Sequence, residues 1–275
     1  MLKTDTHLHS FFSSDSETPM ESMVLSGIQK GFSTLCFTEH YDPDFPCTPD
    51  GMDFQLDFDT YEDTFLLLKD KYADQIELLH GIELGVQKHV GPALEEFYAS
   101  RGSHYDFIIN SCHLVDGMDP YEPAFFAQRS SEDALRAYFE HILVNLNVFP
   151  HFQTAGHLDY ICRYIHRYFP GKLHFLYQDY ADILDEILRL LIAEGKALEV
   201  NSAGLKAGLA WPNPHMEILK RYRQLGGELI TIGSDAHRPE DLGYAFDRLP
   251  DILSAAGFQY YALYRGQKPS MITLK

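Results

Sequence analysis

The chain has 275 residues, 45% of them hydrophobic, and a formal net charge of −18. That length suits one large α/β barrel or two smaller domains. So acidic a surface, with no Lys/Arg-rich stretch to offset it, repels phosphate backbones and argues against nucleic acid as a partner. No run of about 18 apolar residues is present, so no membrane span is expected, and the polar start Met1-Leu2-Lys3-Thr4-Asp5 is not read as a signal peptide. Cys36, Cys47, Cys112 and Cys162 lack C-x-x-C spacing and are expected to be reduced thiols of a cytoplasmic protein.

Short apolar runs alternate with helical patterns along the chain. The first strand is predicted over Leu2–His7. Thr18-Pro19-Met20-Glu21 predicts a helix start, with Thr18 as the cap, Pro19 first in the helix and Glu21 three residues after the cap; Gly31 follows its end. A strand over Thr34–Thr38 leads into a long Asp- and Pro-rich loop, Tyr41–Asp57, and a helix over Tyr61–Tyr72. Strands are expected over Ile76–Glu83 and Phe107–Ser111, then a loop over Leu114–Arg129 and a helix over Ser131–Leu146. Beyond these come strands Thr154–His157, Ala197–Asn201, Glu228–Ile232 and Gln259–Leu263, with helices Tyr180–Ala193, His215–Leu225 and Pro239–Ala256 among them. Strand–helix alternation implies a parallel sheet. Seven or eight such units without a Pro/Gly/Ser-rich linker favour a closed barrel in a single domain, 1–275, over an open doubly wound sheet.

The chemistry gathers at the strand ends. In Asp5-Thr6-His7-Leu8-His9, residues two apart in an extended strand share a face, so Asp5, His7 and His9 are expected together. Asp15 follows shortly. Later strands close with Glu39-His40, Gly81-Ile82-Glu83, Cys112-His113, Gly156-His157-Leu158-Asp159 and Gly233-Ser234-Asp235-Ala236-His237. The C-terminal strand ends of a β/α barrel form its active-site face. Carboxylates crowded on one rim repel each other unless cations intervene. Imidazole with carboxylate suits Zn, Mn or Fe. Nine or ten such groups exceed what one ion needs, so two or three ions with a bridging carboxylate are expected. Glu39, Asp159 and Asp5 could equally orient imidazoles or serve as loop caps.

Together these motifs, with Gly81-Ile82-Glu83-Leu84-Gly85 and Gly233-Ser234-Asp235-Ala236-His237-Arg238-Pro239-Glu240-Asp241-Leu242-Gly243, resemble the PHP (polymerase and histidinol phosphatase) superfamily from Asp5 to about Gly257. Within it they are most similar to the monofunctional histidinol-phosphate phosphatases. The resemblance implies a distorted (β/α)7 barrel with a trinuclear site. His7, His9, Glu83 and Asp235 would hold one ion. Glu83 would bridge to a second, held also by His113 and His157, and Asp15, His40 and His237 would hold the third. Many members carry His where this chain has Asp15. Arg163 and Lys206 match positions where the family places phosphate-binding cations.

The implied reaction is hydrolysis of the phosphomonoester L-histidinol phosphate, a step of histidine biosynthesis, by a hydroxide shared between two ions. Asp235, His237 or a bound water would return a proton to the leaving group. Asp42, Asp116 or Asp119 would meet the substrate ammonium. The alternatives are another small phosphate ester, a nucleotide or nucleic-acid phosphodiester on the same barrel, or a non-catalytic metal-binding barrel.

Overall fold

The protein is described by a computed structural model covering residues 2–46, 51–169, 171, 173 and 175–274. Seven parallel strands lie side by side in sequence order: β1 (Thr4–Leu8), β2 (Thr34–Tyr41), β3 (Glu77–Gly85), β4 (Phe107–Ser111), β5 (Thr154–Ala155), β6 (Ala197–Asn201) and β7 (Ile230–Gly233). The last meets the first just beyond its end: the Asp235 amide donates to the His7 carbonyl (2.7 Å), and the His9 amide to that of Ala236 (2.9 Å). The result is a (β/α)7 barrel. Its strands are buried along nearly their whole lengths, as expected when helices cover a parallel sheet. No helix among the described residues is long and apolar enough to cross a membrane. Cys36, Cys112 and Cys162 are buried free thiols; Cys47 lies outside the described residues.

The segment expected as a further strand near Gln259–Leu263 is extended but leaves the barrel. β8 (Tyr260–Arg265) pairs antiparallel with β9 (Lys268–Thr273). Ala262, Leu263 and Tyr264 pack on Cys36, Leu79, Phe107 and Ala197, which stand near the starts of their strands. The hairpin therefore plugs the N-terminal mouth and leaves the opposite end for chemistry.

Three α-helices among the described residues escape the periodicity argument: Gly91–Arg101, Ile161–Tyr168 and the single turn Ala203–Lys206. The predicted helix Pro239–Ala256 is two pieces, a 3-10 turn at Pro239–Asp241 and a helix at Leu249–Ala255. Gly243 (φ +66°) and Ala245 (φ +55°) break it, and the Gly243 amide is drawn inward to Asp5 Oδ2 (3.1 Å). Thr18 does not cap its helix. Its hydroxyl donates instead to the His237 carbonyl (2.9 Å), and the helix begins at Met20 after Pro19. Gly31 ends it in the left-handed conformation, as expected.

Candidate metal centre and active site

The Glu83 carboxylate stands at the middle of the C-terminal end, fully buried. Its Oε2 lies 3.0 Å from His7 Nε2, 3.4 Å from His9 Nε2 and 3.2 Å from His40 Nδ1. Its Oε1 lies 2.8 Å from His157 Nε2 and 3.2 Å from His113 Nε2, and accepts from Ser111 Oγ (2.6 Å). Five imidazoles from four strand ends thus surround one carboxylate, three on one oxygen and two on the other. Asp235 Oδ1 joins the first set, 3.7 Å from His7 Nε2 and 3.5 Å from His9 Nε2. Asp15 stands to one side, with Oδ2 3.0 Å from His237 Nε2 and 3.9 Å from His40 Nε2. The rings of His40 and His237 both stack on His9, with centroids 4.2 Å away.

The outer atoms of these rings show what their inner atoms must be. Glu199 can only accept, so His7 Nδ1 carries the proton at 2.6 Å from Glu199 Oε1. The neutral ring then points a bare Nε2 lone pair at Glu83, Asp235 and His9 Nε2, the last only 3.1 Å away. His113 repeats the pattern: Nδ1 donates to Asp42 Oδ2 (2.6 Å) and Nε2 faces Glu83. Lone pairs aimed at carboxylates repel unless a cation lies between them, so the donor set fits divalent ions. Four groups of three such ligand atoms, each within 4.8 Å, occur among the described residues: His7/His9/Asp235, His7/Glu83/His157, His9/His40/His237 and His40/Asp42/His113. Without a cation, protons take its place. Burial alone would keep His7 neutral, but the negative charges of Glu83, Glu199 and Asp235 lift its imidazole well above the ordinary value.

One supporting residue, Glu199, comes from a part of the sequence that gave no signal, and Asp42, expected at the substrate ammonium, is bound to an imidazole instead. Glu199, inside β6, holds His7 with one oxygen and accepts from the His157 amide (2.7 Å) with the other. Asp42 orients His113. Gly85 lies beside it because a Cβ there would fall 1.9 Å from Asp42 Oδ2. Glu39 does support an imidazole, indirectly: it accepts from Ser10 and from Ser13 Oγ (2.6 Å), and Ser13 Oγ meets His9 Nδ1 at 2.9 Å. Asp5 does not join His7 and His9. The pairing of β1 with β2 shifts register between Asp5 and Leu8, and the Asp5 carboxylate takes the amides of Ser234 (2.9 Å) and Gly243. Asp159 orients no imidazole; it accepts from Asn213 Nδ2 (2.5 Å) and the His215 amide (2.9 Å).

A cavity of about 680 Å³ opens over the cluster, lined by Asp15, His40, His113, His157, Asp235 and His237 on its floor. Arg163 forms part of its wall, with its guanidinium donating to Asp235 Oδ2 (3.1 Å), Asn201 Oδ1 (3.0 Å) and Asn213 Oδ1 (2.7 Å). Lys206 is elsewhere: its ammonium pairs with Asp241, its side chain is 43% exposed, and it does not line the cavity. The loop Leu114–Arg129 supplies the outer wall with Asp119, Tyr121 and Phe125, and the loop after β2 adds Phe45 and Phe54. Burial pushes the Asp119 carboxyl up to about 6. Asp116 is exposed and paired with Arg129 (3.0 Å).

The sequence and fold match those of known proteins. The PHP domain family matches residues 5–203. Histidinol-phosphatase of Lactococcus lactis is 32% identical over 269 residues, 98% of this chain and 96% of that protein. A probable histidinol-phosphatase of Clostridium acetobutylicum is 32% identical over 244 residues, covering 88% and 89%. The crystal structure of the Lactococcus lactis histidinol phosphate phosphatase, complexed with Zn, L-histidinol and phosphate, superimposes with a TM-score of 0.85 at 31% identity over 98% of this chain and 100% of that one. A putative histidinol phosphatase from Listeria monocytogenes shares the fold, with a TM-score of 0.75 at 20% identity over 90% and 99%. With its strand-end motifs gathered into one cluster and its matches spanning nearly its whole length, this chain belongs to the PHP family.

Proposed function

We propose that this protein is a metal-dependent phosphatase that hydrolyses L-histidinol phosphate to L-histidinol and inorganic phosphate. The observation that carries the reading is the Glu83 carboxylate, whose two oxygens face different imidazole sets beneath a cavity edged by Arg163. The near-full-length likeness to an enzyme seen with zinc, L-histidinol and phosphate supports the substrate. Zinc is the metal of that relative; Mn and Fe suit the same ligands.

We assign two to three ions. His7, His9, Glu83 and Asp235 would hold the first, Glu83, His113 and His157 the second, and Asp15, His40 and His237 the third, a reading supported by the 3.0 Å between Asp15 Oδ2 and His237 Nε2. When bound, such ions lower the pKa of water toward about 7 and neutralise charge on the phosphoryl oxygens. The side chains do the rest. Glu199 and Asp42 fix the tautomers of His7 and His113. Arg163 uses three of its N–H groups on protein acceptors and keeps the others for phosphate. Asp235 and His237 both line the cavity, which supports either of them, alongside a bound water, as the proton donor to the leaving alkoxide. Of the three carboxylates considered for the substrate ammonium, Asp119 alone both lines the cavity and has no basic partner, since Asp42 is committed to His113 and Asp116 to Arg129.

The test is a panel of phosphomonoesters and phosphodiesters assayed with Zn, Mn and Fe. Histidinol phosphate should be preferred over every diester. Faster hydrolysis of a diester or nucleotide would overturn the assignment, and no hydrolysis of any ester would favour a non-catalytic barrel.

A further inference from the structure

Arg163 is held by more than its neighbour Asp235. Two asparagines lie face to face where β6 ends: the Asn201 amide donates to the Asn213 carbonyl (2.7 Å) and the Asn213 amide to that of Asn201 (2.8 Å). Each then turns its side-chain oxygen to the same guanidinium, Asn213 Oδ1 to Nε (2.7 Å) and Asn201 Oδ1 to a terminal nitrogen (3.0 Å). A guanidinium has donors only, so each amide must present its oxygen there. For Asn213 that choice is enforced from behind. Its Nδ2 donates to Asp159 Oδ1 (2.5 Å), while Asp159 Oδ2 accepts from the His215 amide (2.9 Å). Both Asp159 and Asn213 are fully buried, so neither can touch substrate. Gly204 makes room for the arrangement: a Cβ there would lie 2.8 Å from Asn213 Oδ1 and 2.9 Å from its backbone nitrogen.

We infer that Asn213, locked in one amide orientation by Asp159, is a positioning residue that with Asn201 aims the Arg163 guanidinium at the substrate phosphate. This rests on the phosphatase reading above and on the phosphate contact assigned to Arg163. A planar cation clamped through two edges keeps its remaining N–H groups pointed into the cavity, and geometric control of this kind commonly matters as much as the contact itself. Asp159→Asn tests the orientation at constant volume. An amide at 159 has one oxygen for two donors, the His215 amide and Asn213 Nδ2; when that oxygen serves His215, its NH2 meets the NH2 of Asn213 or flips Asn213, which turns an amide N–H onto the guanidinium N–H. Arg163 then loses its aim.

The experiment compares wild type, Asn213→Ala, Arg163→Ala and the double variant. It measures kcat/KM for histidinol phosphate and for an aryl phosphate, inhibition by inorganic phosphate, metal content, and rescue by added guanidinium ion. Asn213→Ala is expected to lower kcat/KM roughly 10- to 100-fold, the usual range for partners that orient a working residue, and to weaken phosphate inhibition in parallel with metal content intact. The double variant should be no worse than Arg163→Ala. Guanidinium should restore part of the activity of Arg163→Ala but not of the double variant, whose clamp is gone. Additive losses, equal rescue of both, or loss of metal from Asn213→Ala would overturn the inference. Should Asn213→Ala fail to fold, Asp159→Asn carries the same expectations. If Arg163→Ala costs activity and neither Asn213→Ala nor Asp159→Asn does, only this inference fails. If Arg163→Ala is fully active, the phosphate contact itself is wrong. If wild type spares histidinol phosphate yet cleaves the aryl ester, the substrate reading falls and the clamp is still tested.

Discussion

Glu199→Gln probes the support of the centre without touching a ligand. The substitution keeps length and volume but removes a charge and one acceptor. Wild-type Glu199 takes His7 Nδ1–H on one oxygen and the His157 amide on the other. Glutamine has a single oxygen, so its NH2 confronts one of these two donors, and a buried unpaired donor costs about 1–3 kcal/mol. The ligating ring also loses the anion that raises its basicity, a change that typically lowers metal affinity roughly 10- to 100-fold. At about 1.4 kcal/mol per tenfold, that is about 1.4–2.8 kcal/mol, so the two routes agree. The loss should fall first on the ion shared by His7, His9 and Asp235, and added metal should recover most of the activity. Competition against a chromophoric chelator reads the affinity directly. An unchanged midpoint, with the fold intact by circular dichroism, would refute the argument that Glu199 sets the His7 tautomer.

Other substitutions test the rest of the site and one distant cluster. Glu83→Ala should cost two ions per chain and His40→Ala one, read by elemental analysis; equal single losses would contradict the bridge. Arg163→Ala should lower kcat/KM for histidinol phosphate roughly 10- to 150-fold, from a charge-assisted contact of about 1.5–3 kcal/mol, and Arg163→Lys should recover only part because an ammonium lacks the fork. Unchanged kinetics would return Arg163 to a structural role. On the helical face, Asp185 accepts from Arg221 Nε (2.8 Å), Tyr177 (2.5 Å) and Arg189 (3.1 Å), and the Arg221 contact holds its carboxyl below the usual carboxylate range. A depressed folded-state pKa stabilises above the unfolded value of about 3.9 and is lost as pH falls toward the lower one. Wild type should therefore melt higher than Asp185→Asn near neutral pH, with the gap closing below about pH 4; a gap independent of pH would show that the charge is not what matters.

The sequence by itself determined which His, Asp and Glu side chains gather at the C-terminal rim. His7, Glu83, His113, His157 and Asp235 each stand at or near the C-terminal end of a strand, and parallel strands in one barrel bring those ends to one rim whatever the loops do. Local signals also marked Gly31, because a left-handed helix end needs no tertiary partner. What only the tertiary structure decided were features that depend on a distant partner. Glu199 reads as an ordinary strand residue until β6 is set beside β5 and His7 Nδ1 closes on it. Asp5 shares the two-residue spacing of His7 and His9, yet a register shift sends it to backbone amides 229 and 238 residues away. Lys206 sits at a position resembling a phosphate binder, but Asp241 lies within its reach and takes the charge. The extended segment at Tyr260–Arg265 is locally a strand. Whether it closes the barrel or plugs its floor is a tertiary matter: β1 and β7 meet through Leu8 and Ala236, and the segment pairs with β9 instead.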